Sequence, residues 1–302
     1  MPRDWESWAS KIMHQPVLLE QVIKYLDPKT DENFIDCTVG EAGHSRAIFD
    51  LNSPNGKILG IDVDANSLQR LESQERLILA HGNFKDLKKI TEENRFSNIN
   101  GILFDLGLSS WQIDESGKGF TFRKDEPLVM ILNDKQEVTA EEIVNQWPEE
   151  SLVEILQKFG EERYGRRIVR GIVNERKLHP IKTTFQLKNI ILKSIPFSYT
   201  RRGAVNKVLA RVFQALRIVV NDELENLTKG LEQALEIVDP GGRIVVISFH
   251  SLEDRIVKNF FKEKKNQGAL RILTEKPIIA DEIEISINYR SRSAKLRAAI
   301  KI

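Results

Sequence analysis

The first third of the chain alternates short apolar runs with helical patterns, and this alternation constrains the fold more than any other feature. Apolar runs at Phe34–Val39, Lys57–Ile61, Leu77–Leu79 and Gly101–Phe104 predict four strands, and a helix is expected from about Ser45 to Leu51. Strands separated by helical segments are typical of βαβ units, in which the strands lie parallel in one sheet. The sequence therefore predicts an α/β fold.

A long segment without strand patterns interrupts this alternation. Residues from about 113 to 213 contain helical patterns and loops, but no continuation of the sheet. We therefore predict a Rossmann-like doubly wound core formed by residues 1–112 and 214–302. A mainly helical inserted domain for substrate recognition, residues 113–213, is expected to split this core.

The sheet pattern resumes after the interruption. Apolar residues at helical spacing from Leu216 to Val238 predict one long amphipathic helix. The turn Asp239–Gly242 leads into Arg243–Phe249, a fifth strand apolar enough to be buried on both faces. Ser251, with Asp254 three residues later, is the expected N-cap of a helix that continues to about Lys264.

Basic residues are concentrated in one part of a nearly neutral chain. The net charge is +1, yet residues 157–217 hold 15 Lys and Arg against 3 Asp and Glu, so the remainder carries about −11. Segregated positive charge is typical of a phosphate-binding surface, which favours a nucleic-acid partner. Solvated helix faces are the alternative explanation.

Composition narrows the class of protein. No apolar run approaches the roughly 18 residues that span a bilayer, and the charged N-terminus does not resemble a secretory signal. Cys37 is the single cysteine, which suits a reducing compartment, and the five histidines show no zinc-site spacing. We expect a cytoplasmic protein with no membrane partner and no metal; the oligomeric state stays open, with a homodimer possible.

The turn after the first predicted strand has the features of a cofactor loop. Gly40 and Gly43 allow close approach to the backbone, and Asp62, 22 residues after Gly40, can hold a ribose diol. The turn reads G-x-x-G without the third glycine of a pyrophosphate-binding loop. This favours S-adenosylmethionine over NAD, and a plain tight turn is the structural alternative.

Acidic residues mark the strands of the predicted sheet. Asp36 lies within the first strand, Asp62 ends the second and Asp105 ends the fourth, where open parallel sheets bind their ligands. A carboxylate beside a cationic sulfonium or a nucleophilic amine is electrostatically favourable. Ser109, Ser110 and Gln112 add polar groups on the loop after Asp105. A single such aspartate is often only a turn former.

Eight motifs, in order along nearly the whole chain, resemble the RsmH (MraW) family of bacterial 16S ribosomal RNA cytosine-N4 methyltransferases. They are His14-Gln-Pro-Val-Leu-Leu, Gly40-Glu-Ala-Gly-His-Ser45, Asp105-Leu-Gly-Leu-Ser-Ser-Trp-Gln-Ile-Asp114, Gly160-Glu-Glu-Arg163, Phe213-Gln-Ala-Leu-Arg-Ile218, Asn221-Asp-Glu-Leu224, Ser248-Phe-His-Ser-Leu-Glu-Asp-Arg-Ile-Val-Lys258 and Arg290-Ser-Arg-Ser-Ala-Lys-Leu-Arg297.

The resemblance implies a class I S-adenosylmethionine-dependent methyltransferase fold and a substrate in the decoding centre of 16S ribosomal RNA, as free RNA or small ribosomal subunit. By matching position it implies a set of cofactor contacts: Ala42, Gly43, His44, Asp62, Phe84, Asp105 and Gln112. Phe84 could pack on the adenine, and Asp62 could accept the ribose hydroxyls.

The same resemblance directs the choice of catalytic residues. Cytosine N4 is a poor nucleophile, so the base must be extruded and its amine held beside the methyl group with a proton acceptor nearby. Asp105 with Ser109 or Ser110 is the expected acceptor, and His250 is the next candidate. A packed, hydrogen-bonded turn residue is the alternative for His250.

Two groups of basic residues are expected to bind RNA. The first, in and after the predicted insert, comprises Arg163, Arg166, Arg167, Arg211 and Arg217. The second is an acid-free cluster near the C-terminus formed by Arg290, Arg292, Lys295 and Arg297. A solvated terminal strand is the alternative for the second group.

The chain departs from the family pattern at several positions. The usual G-R-G-G-H-S reads Gly40-Glu41-Ala42-Gly43-His44-Ser45 here, and P-L-D-M-R-M-D reads Pro127-Leu-Val-Met-Ile-Leu-Asn133. P-A-T-R-T-F-Q reads Val208-Leu-Ala-Arg-Val-Phe-Gln214, which keeps Arg211 but neither threonine. The departures leave open an RNA-binding homologue that no longer transfers methyl. Because the glycine turn and Asp62 would also serve NAD, an NAD oxidoreductase is the third hypothesis.

Overall fold

A computed structural model describes residues 16–133, 136–196 and 202–302. The first residues of the His14 motif lie outside this part of the chain. Two compact units are formed, one by Met1–Gly107 with Leu224–Ile302 and the other by Leu108–Glu223. The limits expected from sequence, 113 and 213, fell inside two helices, because apolar periodicity does not reveal which core a helix packs into.

The first unit contains the sheet. Its helices and strands are α1 (Leu19–Leu26), β1 (Asn33–Asp36), α2 (Gly43–Leu51), β2 (Ile58–Asp62), α3 (Ala65–Gln69), β3 (Leu77–His81), a 3-10 turn (Phe84–Asp86), α4 (Leu87–Glu93), β4 (Ile99–Asp105), α11 (Glu223–Ile237, whose first residue belongs to the other unit), β5 (Arg243–Ser248), α12 (Ser251–Asn266), β6 (Leu270–Ile272), α13 (Glu282–Ile287), a second 3-10 turn (Tyr289–Ser293) and β7 (Lys295–Lys301).

Seven strands form one sheet in the order β3-β2-β1-β4-β5-β7-β6. Strands β1 to β5 pair in parallel, whereas β7 runs antiparallel to both β5 and β6. The doubly wound sheet that the apolar runs predict is confirmed.

Alternate residues of the central strands feed two hydrophobic cores, one on each face of the sheet. Ile35, Leu59 and Phe104 lie in the core that α4, α11 and α12 cover. Phe34 and Leu103 lie in the opposite core with residues of α1 and α2. Burial on both faces explains why these strands read as continuous apolar runs.

The second unit is helical. Its elements are α5 (Ser110–Asp114), α6 (Ala140–Gln146), α7 (Glu149–Lys158), α8 (Gly165–Arg176), α9 (Thr184–Ser194) and α10 (Arg202–Asn221). These helices share a hydrophobic core of their own, which includes Ile143, Ile168, Leu187 and Val212. A separate core agrees with the absence of strand patterns from this part of the sequence.

Two local predictions were wrong. The single amphipathic helix from Leu216 to Val238 is two helices, because Asp222 between them adopts a left-handed backbone conformation, with φ 50°. The N-cap of α12 is His250 rather than Ser251, and Glu253 rather than Asp254 completes the capping box. Apolar periodicity continues across both features and therefore does not show them.

Within the described ranges, no helix has the length and apolarity that crossing a membrane requires.

Candidate active site

Three neighbouring parallel strands each end in an aspartate: Asp36 on β1, Asp62 on β2 and Asp105 on β4. Parallel strands bring their carboxyl ends to the same edge of a sheet, which is where such sheets bind ligands. Asp36 and Asp62 are 2% and 7% exposed, and the Asp105 side chain is 23% exposed. Three largely buried carboxylates therefore gather at this edge of the first unit.

Asp62 anchors the glycine-bearing turn between β1 and α2. Gly40 N donates to Asp62 Oδ2 and Asp64 N donates to Asp62 Oδ1, both at 2.9 Å. Gly40 has φ 49°, and a Cβ added there would meet nothing nearer than the Thr38 carbonyl oxygen at 3.7 Å. The backbone of this turn consequently faces open space, as close approach of a ligand requires.

The charge of Asp62 is only partly stabilised. The pKa of Asp62 is raised to about 6, principally by burial. The charges of Asp64 and Asp36 also raise this pKa, whereas hydrogen bonds from the backbone N–H groups of Asp64 and Gly40 lower it. A carboxylate with a raised pKa favours a partner that donates hydrogen bonds or carries positive charge. Asp62 therefore suits ribose hydroxyls next to a cationic ligand.

Gly43 begins α2 directly against Pro16, and its lack of a side chain is a packing requirement. A Cβ added at Gly43 would lie 2.5 Å from Pro16 Cγ, within a rigid ring. We expect Gly43→Ala to lower the free energy of unfolding by about 1–3 kcal/mol through overpacking, although alanine is the better helix former. Chemical denaturation measures this. Asp50→Ala, at an exposed position of α2, is the matched control; equal effects of both changes would contradict the packing account.

Asp36 ties β1 to the start of α2. Ser45 Oγ donates to Asp36 Oδ2 at 2.6 Å, and Thr38 N donates to Oδ1 at 3.2 Å. Burial raises the pKa of Asp36, while the Ser45 hydroxyl, the charge of His44 and the Thr38 N–H lower it. Asp36 is 2% exposed and is the only one of the three that holds a side-chain hydroxyl within the described residues, so we interpret it as positioning the turn rather than a ligand.

Asp105 lies beside a buried histidine. His44 Nδ1 is 3.6 Å from Asp105 Oδ2, and His44 Nε2 is 2.9 Å from the Val17 carbonyl oxygen. Asp105 Oδ1 is enclosed and makes no hydrogen bond with any residue that the structure describes. Since the side chain is nevertheless 23% exposed, Oδ2 is the oxygen that an incoming group can reach.

The pKa of Asp105 is raised to about 6, principally by burial. The charge of His44 lowers it, the carboxylates of Asp36 and Glu253 raise it, and the Gly107 N–H lowers it. Asp105 therefore exchanges its proton near neutral pH, as a general base should.

Phe84 flanks the same edge after β3. Its ring packs edge-on against Phe104, with centroids 5.5 Å apart, and a Cβ added at Gly230 would lie 2.7 Å from Phe84 Cδ2. Phe84 remains partly exposed. A half-exposed aromatic ring held from behind can pack on a flat heterocycle.

Ser109 and Gln112 belong to the second unit and form a capping box at the start of α5. Gln112 N donates to Ser109 Oγ at 3.2 Å, and Ser109 N donates to Gln112 Oε1 at 2.9 Å. Ser110, the first residue of α5, is partly exposed. A serine hydroxyl at neutral pH is a weak base, so Asp105 is the better proton acceptor of the predicted set.

His250 caps α12 through a similar arrangement. Glu253 N donates to His250 Nδ1 at 3.4 Å, and Glu253 Oε2 accepts from Phe249 N and His250 N at 2.8 and 3.3 Å. The His250 side chain is 8% exposed, and its Nε2 lies 3.1 Å from Glu253 Oε1 but forms no hydrogen bond with the residues that the structure describes. These contacts support the packed turn residue rather than the catalytic alternative.

The arginines of the second unit divide into exposed and paired residues. Arg166, Arg167 and Arg170 are exposed on α8. Arg170 was not among the residues expected to bind RNA, although its position three and four residues after the other two places it on the same side of the helix. Arg163 is exposed and its guanidinium lies 4.6 Å from the Tyr164 ring centroid. These four residues, three on α8 and Arg163 two residues before it, form a basic surface and are called here the α8 arginines.

Arg211 and Arg217 form ion pairs with carboxylates of the same unit. Arg211 Nη1 lies 3.4 Å from an oxygen of the buried Glu162 and is half exposed. Arg217 binds Glu223 with two hydrogen bonds of 2.7 and 2.8 Å, and both side chains are mostly buried. The expectation that Arg217 binds RNA is therefore not supported.

The C-terminal basic cluster also divides. Arg297 is 7% exposed and donates from Nε to Asp254 Oδ1 at 2.6 Å, while Lys295 Nζ lies 3.5 Å from Asp254 Oδ2. Burial and the ion pair favour a structural role for Arg297 over the expected contact with RNA. Arg290 is partly exposed, and Arg292 bonds the Tyr289 hydroxyl at an exposed position.

Three departures from the family pattern lie in one segment of the second unit. Ile131 is 8% exposed within the hydrophobic core, and Val129 packs against that core. Asn133 is partly exposed. Apolar side chains therefore stand at two positions where the family pattern has a carboxylate and an arginine, and both suit the core that they contact.

Sequence reasoning missed the contact between His44 and Asp105. His44 was expected to touch the cofactor, because it matched a family contact position. The 60 residues between the two positions carry no periodic signal that pairs them. A histidine at the start of the helix after β1, with an aspartate ending β4, was the available indication.

Comparison with known proteins shows similarity along almost the whole chain. The family model described as the MraW methylase family matches residues 11–302. "Ribosomal RNA small subunit methyltransferase H" of Clostridium botulinum (strain Kyoto / Type A2) is 42% identical over 308 residues, covering 96% of this chain and 99% of the relative. The protein of that name from Heliobacterium mobile is 43% identical over 310 residues with the same coverage.

Among solved structures, an rRNA methylase from Streptococcus thermophilus aligns over 96% of this chain and 99% of its own, at 11% identity and a TM-score of 0.42. This likeness is too distant to bear on function.

Proposed function

Because the chain belongs to the MraW methylase family, we propose that it transfers a methyl group from S-adenosylmethionine to small-subunit ribosomal RNA. The proposed acceptor is the exocyclic N4 amine of a cytidine in the decoding centre of 16S RNA. The observation that carries this proposal is the position of Asp105, a carboxylate with pKa near 6 at the ligand-binding edge of the sheet.

The residues at this edge fit a cationic cofactor without pyrophosphate. Asp36, Asp62 and Asp105 place three carboxylates close together, and His44 is the positively chargeable group that lowers the pKa of Asp36 and Asp105. A sulfonium and an ammonium would offset this negative charge. The open backbone at Gly40, the carboxylate of Asp62 and the ring of Phe84 suit the rest of such a molecule.

When bound, the cofactor supplies an electrophilic methyl group. The protein must hold the cytosine amine in line with that group, exclude water and accept one proton. Asp105 Oδ2 can accept a hydrogen bond from the amine, which orients the nitrogen lone pair, and can then take the proton. Burial keeps this carboxylate basic enough to act near neutral pH.

The α8 arginines are proposed to bind the RNA backbone. Their guanidinium groups are exposed, as phosphate contacts require. Arg211, Arg290, Arg292 and Lys295 remain secondary candidates. Arg217 and Arg297 are left out because they are bound to Glu223 and Asp254.

We expect the double variant Arg166→Ala/Arg167→Ala to bind 16S RNA more weakly and with less dependence on salt. The slope of log K against log salt should fall by about 2, since each lost phosphate contact removes about one unit. Arg271→Ala, an exposed arginine on β6, is the control. An unchanged slope in the double variant, or an equal loss with the control, would remove α8 from the RNA surface.

A non-catalytic RNA-binding homologue is the second candidate. It is favoured by the apolar residues at Val129 and Ile131, where the family pattern carries charges. Incubation with cofactor labelled at the methyl group and undermethylated small subunits separates the two functions. Label in the RNA supports the enzyme, whereas tight RNA binding without label supports the homologue.

A further inference from the structure

His44 is held in one orientation by its outer nitrogen. The ring is 6% exposed, and Nε2 lies 2.9 Å from the Val17 carbonyl oxygen. A carbonyl only accepts hydrogen bonds, so Nε2 carries the hydrogen. In the neutral ring, Nδ1 then presents a lone pair.

That lone pair faces a carboxylate. Nδ1 is 3.6 Å from Asp105 Oδ2, so a neutral His44 beside an ionised Asp105 brings two electron-rich atoms together. One added proton removes this repulsion, whichever of the two groups holds it. The other charged groups near Asp105 are Asp36 on β1 and Glu253 on α12, both of which also favour proton uptake.

From this geometry, and resting on the methyl transfer proposed above, we propose that His44 is a positioning residue for proton removal. A neutral His44 receives, through Asp105 Oδ2, the proton that the amine loses, and the charge that His44 thereby gains returns Asp105 to its ionised form. His44 is otherwise expected only as a cofactor contact.

The step balances in atoms and charge. The N4 lone pair forms the bond to the methyl carbon, and the carbon–sulfur bond breaks with its electron pair passing to sulfur, which loses its positive charge. The N4 proton moves to Asp105 Oδ2 and is shared with His44 Nδ1. The positive charge that leaves sulfur thus reappears on the His44–Asp105 pair.

A purely structural role for His44 makes different predictions. In that case the ring serves only to join α2 to the Val17 carbonyl. His44→Gln separates the two roles, because a glutamine amide can still donate to that carbonyl but cannot take a proton. His44→Asn places an amide near the position of Nδ1 and replaces the first variant should that one fail to fold. Circular dichroism and S-adenosylhomocysteine affinity check that either variant keeps its site.

The first measurement is a double-mutant cycle on kcat with His44→Gln and Asp105→Asn. If His44 acts through Asp105, His44→Gln lowers kcat about tenfold or more in the wild-type background, with KM little changed. In the Asp105→Asn background it should have almost no further effect. Equal losses in both backgrounds would overturn the proposal.

The second measurement needs neither RNA nor cofactor. Carbon-13 NMR of labelled aspartate follows Asp105, whose signal is assigned by its absence from Asp105→Asn. Since the charge of His44 lowers the pKa of Asp105, His44→Gln should raise that pKa above about 6. The analogous His81→Gln is the control, because His81 Nε2 also lies near a carbonyl oxygen, that of Val63 at 3.1 Å.

The outcomes separate this proposal from the proposed function. A raised pKa of Asp105 in His44→Gln, in a protein that methylates no RNA, would refute the methyl transfer while keeping the pair. An unmoved pKa, or one that His81→Gln moves equally, would refute the role of His44 even in an active enzyme.

Discussion

Asp105→Asn is expected to lower kcat for methyl transfer at least about a hundredfold, because general-base catalysis typically contributes 10²–10⁴-fold. Asparagine matches the shape of aspartate but cannot accept the amine proton. Single-turnover kinetics with saturating cofactor measure the chemical step directly. Asp50→Asn, at an exposed position of α2, is the matched control, and near-wild-type turnover in Asp105→Asn would remove Asp105 from the mechanism.

The pH dependence of the same variant supplies a second criterion. Wild-type kcat should rise with pH through about 6, as Asp105 loses its proton, and Asp105→Asn should lose this limb. Folding stability should change in the opposite sense. Since burial raises the pKa of Asp105, its ionised form destabilises the protein as pH rises through about 6. Asp105→Asn should therefore keep or raise the melting temperature at pH 8, so lost activity would not reflect unfolding.

Arg297→Ala is expected to lower the free energy of unfolding by about 3 kcal/mol, equivalent to roughly 5 °C in melting temperature. The side chains of Arg297 and Asp254 are 9% and 13% exposed, and removing the guanidinium leaves a largely buried carboxylate that still has the Lys295 ammonium 3.5 Å away. Thermal denaturation measures the loss. Arg292→Ala, exposed beside Tyr289, is the control and should change stability little.

Acid titration of the same pair checks the cause. Burial raises the pKa of Asp254, but the hydrogen bond and charge of Arg297 and the charge of Lys295 outweigh it and hold that pKa below its ordinary value. The stabilisation is therefore present above about pH 4 and is lost as pH falls further. A stable Arg297→Ala with weakened RNA binding would reverse the assignment and return Arg297 to the RNA surface.

The core of the fold was predictable because its strands are buried on both faces. The runs around Phe34, Ile58, Ile102 and Ile244 are apolar because their side chains are buried, and this holds whichever helices pack on the sheet. The antiparallel strands β6 and β7 escaped prediction, since Lys295–Lys301 reads as a basic segment. Its charge at Arg297 is balanced by Asp254, 43 residues away, and no local pattern reveals such a partner.

The site was predictable to the extent that it follows from sheet topology. Asp62 and Asp105 end parallel strands, so the sequence alone was enough to infer that both lie at the carboxyl edge of the sheet. Family membership, expected from the motifs, is confirmed by the match over residues 11–302, which removes the nicotinamide alternative. The roles of Ser109, Gln112 and His250 as helix caps were not visible, because a capping side chain and a catalytic one have the same residue types.

Nucleoside analysis of 16S RNA tests the central claim most directly. Undermethylated small subunits would be incubated with S-adenosylmethionine and either the wild-type protein or Asp105→Asn, then digested and analysed by mass spectrometry. We predict one N4-methylcytidine from the decoding centre with the wild-type protein and almost none with the variant. A methyl group on another atom or base, or equal methylation by both proteins, would contradict the account.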